Sequence, residues 1–144
     1  MELPINYAAI AVAAVVNFFI GFVWYTPLFG KAWQKELKMD IPEGAKPPAG
    51  LLIRGLIMGI IGQFLMVYVF AHNNAAWSFV PGMDQMGAGG IVMSAAVFTW
   101  LGFFVPVDLN RVAWEGASWK LFFINAGYHF VIVTVAAAIT IMWK

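Results

Sequence analysis

The sequence predicts an all-α membrane protein: four transmembrane helices in a bundle, with a short interfacial amphipathic helix between the first and the second. Three observations carry that reading. Of 144 residues, 62% are hydrophobic and 10% charged, whereas a soluble domain is about 45–50% apolar and about 25% charged. So little polar surface cannot cover the fold, and the remainder should face lipid. Four apolar runs also approach the roughly 20 residues that a helix needs to cross about 30 Å of hydrocarbon. Finally, Pro4, Pro27, Pro42, Pro47, Pro48, Pro81 and Pro106 all fall at run ends or in loops, outside the helix interiors that proline disrupts.

The first run covers 5–26. Ala9, Ala13, Asn17 and Gly21 recur every four residues and lead to Trp24 and Tyr25, which places the small residues on one helix face. Met1, Glu2, Leu3 and Pro4 precede it. They lack the basic start of a signal peptide, and the run is too long for its apolar core, so this helix should be retained. Residues 28–39 read LFGKAWQKELKM. Phe29, Trp33 and Leu37 share one face, and Lys31, Gln34, Lys35 and Lys38 take the others, as in a helix lying in the membrane interface. A Pro/Gly linker follows.

The second run, 51–70, has Arg54 near its start and carries Gly55, Gly59, Gly62 and Gln63. A polar and aromatic loop over 72–86 should separate it from the third run, 87–105, which contains Ser94, Ala95, Thr99 and Gly102. The fourth run, 121–142, places Asn125 and His129 in line with Ser118. No internal repeat is visible. The whole chain reads as one domain.

Basic residues give the direction. Lys31, Lys35, Lys38, Lys46, Arg54, Arg111 and Lys120 all lie at one membrane face, leaving Lys144 alone at the other. Basic loops stay in the cytoplasm, so both termini should lie outside it. Trp24, Trp33, Trp114 and Trp119 at the basic ends, with Trp77 and Trp143 opposite, suit aromatic belts at the two interfaces.

Depth brings a few polar groups together. Asn17 lies roughly 18 Å from the outer end of its span and His129 roughly 12 Å from the inner end of the antiparallel fourth span. On a layer about 30 Å thick these levels coincide. Thr99 reaches the same level, Gln63 sits about one turn further out and Asn125 about one turn further in. The expected intramembrane cluster is Asn17, Gln63, Thr99, Asn125 and His129, with Asn17 and His129 in direct or one-water reach. Trp24, Tyr25, Arg54 and Glu115 should line its cytoplasmic side. Arg54 either snorkels to phosphate or pairs with Glu115 or Asp108. Glu115 and Ser118 form an imperfect capping box.

Such a cluster either fastens helices together, at about 0.6–2 kcal/mol per bond, or lines a solute or proton path, the default reading for an ionisable group inside a membrane. The expected function is a channel-like, transport or accessory membrane subunit. The alternatives are a structural scaffold, or an enzyme acting on a lipid or quinone. The enzyme needs paired acid–base groups at one depth, and only His129 is visible. No catalytic, cofactor-binding or metal residues are expected. The chain has no cysteine, which removes thiolate chemistry and disulfides. It has no HExxH motif, phosphate loop or nucleophile elbow, and His72 with Asp84 is too small a set for a metal. A net charge of +1 gives no argument for nucleic acid. The expected partners are the bilayer and, from the surplus of glycine faces, further copies of the chain; any small-molecule or ion ligand is left unspecified.

The run Asn17-x3-Gly21-x2-Trp24-Tyr25-x-Pro27-x-Phe29-Gly30-x2-Trp33 and the run Trp114-Glu115-x2-Ser118-Trp119-x-Leu121-Phe122-x-Ile124-Asn125-x-Gly127-Tyr128 resemble the bacterial membrane family catalogued as domain of unknown function 1761. Leu101-Gly102-Phe103 also fits, and the resemblance spans essentially the whole chain. It implies four membrane helices in a prokaryotic cell (inner) membrane. It implies no activity, substrate or catalytic residue, and it directs attention to the Trp24–Tyr25 corner and the Trp114 to Tyr128 segment.

Overall fold

The computed structural model describes residues 3–42, 44–46 and 48–143. Helix α1 (Tyr7–Val23) runs without a break into a π-helical turn (Trp24–Leu28), and α2 (Gly30–Glu36) follows at once. Helix α3 (Ala49–Trp77) leads through a short 3-10 turn (Met83–Gln85) to α4 (Ala88–Thr99). A second π-helical turn (Trp100–Phe104) joins α4 to α5 (Val105–Trp114), and α6 (Trp119–Met142) closes the chain. Four helical stretches, Tyr7–Leu28, Ala49–Trp77, Ala88–Trp114 and Trp119–Met142, are long and apolar enough to cross a bilayer. This is the architecture of a multi-pass membrane protein, and the described residues contain no strand.

Helix starts follow local chemistry. Asn6 caps α1, its side chain accepting from the amides of Ala8 and Ala9 at 3.0 and 3.1 Å, which satisfies two of the four N–H groups a helix start leaves free. Ser118 caps α6 by accepting from the Leu121 amide at 3.1 Å. The amphipathic stretch after the first span forms α2, shorter than 28–39 but in place.

Three expectations change. Helix α3 continues past residue 70 to Trp77, so His72, Asn73 and Asn74 are helical rather than part of a loop. The third span runs on to Trp114, well beyond 105. Two prolines, Pro27 and Pro106, therefore sit inside continuous helix. Each lacks an N–H, and its ring collides with the carbonyl four residues back. Both helices answer with a wide turn, in which Phe29 N–H reaches the Trp24 carbonyl at 2.9 Å and Val105 N–H reaches that of Trp100. A tryptophan-led π turn thus occurs twice, with Pro27 inside the first and Pro106 just after the second, and this recurrence was not visible as a sequence repeat.

Helix α6 is the centre of the bundle, contacting α1, α3, α4 and α5. Ala13 and Ala14 of α1, Ala96 of α4, and Ala136 and Ala137 of α6 are buried where the helices meet. Small side chains let backbones approach closely, which is how membrane helices gain packing energy. Ile10, Val67 and Val133 fill the remaining space. Helix α3 is attached mainly through Val67, Phe70 and Ala71. Its opposite end, residues 49–58, is exposed.

Candidate functional site

Helix α6 organises the polar residues. Asn125 and His129 lie one turn apart, and Tyr128 neighbours His129. The π turn after α1 brings in Trp24 and Tyr25, α3 brings Gln63, and α5 brings Asp108. Tyr25 Oη donates to Asn125 Oδ1 at 2.9 Å. Gln63 Nε2 donates to Tyr128 Oη at 3.0 Å. The Tyr25 and Tyr128 rings meet edge to face with centroids 4.9 Å apart, a favoured aromatic geometry. Trp33 of α2 packs on Tyr25 at 5.3 Å.

The ionisable centre of the site joins the expected His129 to Asp108, which the sequence reading offered only as a partner for Arg54. His129 Nδ1 lies 2.9 Å from Asp108 Oδ2. The Asp108 side chain is 2% exposed and that of His129 23%. Such a carboxylate fixes the orientation of the ring and which ring nitrogen faces it. The other nitrogen, Nε2, has no hydrogen-bond partner among the described residues. Phe104 lies against the imidazole at 4.7 Å. A recess bounded by Asp108, Arg111, Ala117, Leu121, Phe122 and Asn125 leads from the pair toward the basic end of the bundle. It is too tight to hold a water. Among the described residues, no three His, Cys, Asp or Glu side chains converge on a metal position.

Asn17 is fully buried, but its bond goes elsewhere than expected. Its Nδ2 donates to the backbone carbonyl of Ile132 at 3.0 Å, while His129 turns to Asp108. A carboxylate accepts an imidazole N–H more strongly than an amide oxygen does, so the Asn17–His129 bond gives way. Thr99 is half-buried, with no side-chain hydrogen bond among the described residues. Arg54 is exposed and makes no ion pair among them. Its expected partners are taken, Asp108 by His129 and Glu115 by Arg111 at 3.4 Å on the next turn. Glu115 is itself exposed, so neither residue lines the site. Trp24 instead donates from Nε1 to the Ile124 carbonyl at 3.0 Å. Trp100, also missed, donates to the Ala126 carbonyl at 2.7 Å.

The acid that completes the start of α6 comes from α2. Ser118 Oγ donates to Glu36 Oε2 at 2.6 Å, and Lys120 approaches the same carboxylate at 3.8 Å. Glu115, the expected capping partner, is occupied by Arg111. Ser118→Ala should therefore remove both a helix cap and the anchor of α2, at a cost of about 0.5–2 kcal/mol. Amide hydrogen exchange in bilayer discs checks this: exchange should accelerate across Gly30–Glu36, and an unchanged rate there would show that the anchor does not hold α2.

A family model described as "Protein of unknown function (DUF1761)" matches residues 8–141. No curated protein and no solved structure matches the chain.

Proposed function

The chain belongs to the DUF1761 family, and we propose that it is a small transport-type membrane protein whose working element is the Asp108–His129 pair. One observation carries this reading: a carboxylate 2% exposed, 2.9 Å from an imidazole, at the end of a membrane-crossing helix. Ionisable groups in that setting are expensive and usually serve proton or ion movement. The unbonded Nε2 leaves the ring able to take and release a proton. Passage across the whole layer requires the apolar half around Ile10, Val67 and Val133 to open, and the two π turns are the segments of spans one and three best suited to bend.

Proton uptake by sealed vesicles containing the purified protein, under an imposed pH step and followed with an internal pH dye, tests this. Wild type should equilibrate faster than empty vesicles. His129→Gln keeps a donor toward Asp108 but cannot titrate, so it should fall to the empty-vesicle rate while remaining folded. Equal rates for wild type and His129→Gln would remove the pair from any transport role. The filled apolar half favours a second reading, an accessory or structural subunit in which the network only locks helices; there the two proteins behave alike in the uptake assay.

The same reading places the basic loops in the cytoplasm, both termini outside it, and the protein in a prokaryotic inner membrane. The orientation is supported by the sevenfold excess of basic residues at one face, counted from the sequence; the prokaryotic membrane rests on the family resemblance alone. Reporters fused after residue 144 should be active only outside, and reporters inserted within 31–46 only inside; an internal signal from the C-terminal fusion reverses the topology.

Self-association belongs in this proposal on the Gly55 and Gly62 side of α3. Nothing lies within 4 Å of a Cβ at either position, whereas a Cβ at Gly59 would meet Phe18 of α1 at 3.2 Å. Gly59 is thus spent inside one chain. Gly62→Leu should shift the protein toward monomer in native mass spectrometry, and Gly59→Leu should instead loosen the α1–α3 contact. A wild type that is monomeric at every concentration ends this part of the proposal.

A further inference from the structure

Three polar groups on three helices keep unused hydrogen-bonding capacity. Asn17 Oδ1 and Gln63 Oε1 are buried and accept no hydrogen bond among the described residues. Tyr128 Oη accepts from Gln63 Nε2, and its own hydrogen has no acceptor among the described residues. A buried amide oxygen left unpaired is costly, and native proteins rarely tolerate it.

The three residues are neighbours. A Cβ at Gly21 would stand 2.8 Å from Tyr128 Oη, so the phenol reaches the bare backbone of α1. Asn17 lies one turn before Gly21 on the same face, where side chains begin about 5–6 Å apart. Its amide already touches α6 one turn beyond Tyr128, at Ile132. Gln63 Oε1 belongs to the amide whose nitrogen is bonded to that same phenol. A single water bridges polar groups that lie close together without bonding directly.

We propose that Asn17, Gln63 and Tyr128 hold one internal water molecule that ties α1, α3 and α6 together. The hydrogen-bond inventory matches. Water has two O–H donors for the two amide oxygens and a lone pair for the phenol hydrogen, and buried waters typically make about three bonds to such atoms. Turning the Gln63 amide over changes which of its atoms is unpaired but leaves an unpaired atom at the same place. A metal cation suits the set less well. It would bring a charge to three neutral groups, and it would leave the phenol hydrogen unbonded. The water site is separate from the Asp108–His129 pair and stands whether or not that pair moves protons.

Solid-state NMR on protein labelled with 15N and 13C in lipid bilayers tests the site by transfer of magnetisation from water protons. The side-chain amides of Asn17 and Gln63 should gain signal several-fold faster than the backbone amide of Ala13, which lies in the dry core. In Asn17→Leu the transfer to Gln63 should fall to the Ala13 rate. Side-chain amides that gain signal no faster than Ala13 in the wild type overturn the proposal, and this comparison stands even if the variant does not fold. Shifts of the Asn17 and Gln63 signals when sodium is exchanged for choline would identify a bound cation and overturn it equally.

Discussion

Replacing Asp108 with alanine is expected to destabilise the folded bundle by about 3 kcal/mol, the upper end of what losing a hydrogen bond to a charged group costs. The upper end applies because the carboxylate is buried (2% exposed) and its loss leaves His129 Nδ1 without a partner. Asp108→Asn keeps an oxygen that accepts from His129 Nδ1–H, so its cost should stay near about 1 kcal/mol, that of an ordinary hydrogen bond. Reversible unfolding in mixed micelles of rising sodium dodecyl sulfate measures both. Equal losses for the alanine and asparagine variants would mean that hydrogen bonding, not charge, holds α5 against α6.

Gly21→Ala should lose about 1–3 kcal/mol although it adds a single methyl group. The new Cβ would lie 2.8 Å from Tyr128 Oη, closer than real contacts allow. Tyr128 cannot swing aside cheaply, because Gln63 holds its hydroxyl and Tyr25 its ring. Overpacking a filled site costs that much. Gly89→Ala in α4 is the control, since nothing among the described residues lies within 4 Å of its Cβ. Alanine is favoured over glycine in a helix by about 0.8–1.0 kcal/mol, so this variant should be as stable as wild type or more so. If the two alanines behave alike in the same unfolding assay, the close approach of α1 and α6 at Gly21 is wrong.

The fold was legible in the sequence because hydrophobic length and charge placement are properties of whole segments. The small-residue stripe of α1 was legible for a similar reason: Ala9, Ala13 and Asn17 are all buried, and Gly21 meets Tyr128. Asp108 was not. Ala96 is on the core face, and at about 100° per residue position 108 falls about 120° away from it, toward the outside. The π turn Trp100–Phe104 absorbs one extra residue, which brings position 108 back to within about 20° of Ala96. A reader applying a regular helix therefore faces Asp108 away from His129. The prolines that produce these turns were read as helix ends, which concealed the same shift. Glu36 was unreadable for another reason, since no spacing rule links it to Ser118 across 82 positions.

Three of the bonds that seat α6 in the bundle end on its main chain: Asn17 on the Ile132 carbonyl, Trp24 on that of Ile124, and Trp100 on that of Ala126. A main-chain acceptor survives almost any change of residue, whereas each donor is one particular side chain. Among relatives, drift should therefore be lopsided. Positions 124, 126 and 132 are free to exchange one apolar residue for another of similar size, without compensation elsewhere. Asn17, Trp24 and Trp100 have no partner residue with which to covary, so statistical pairing across many sequences should miss contacts that alanine substitution finds at once.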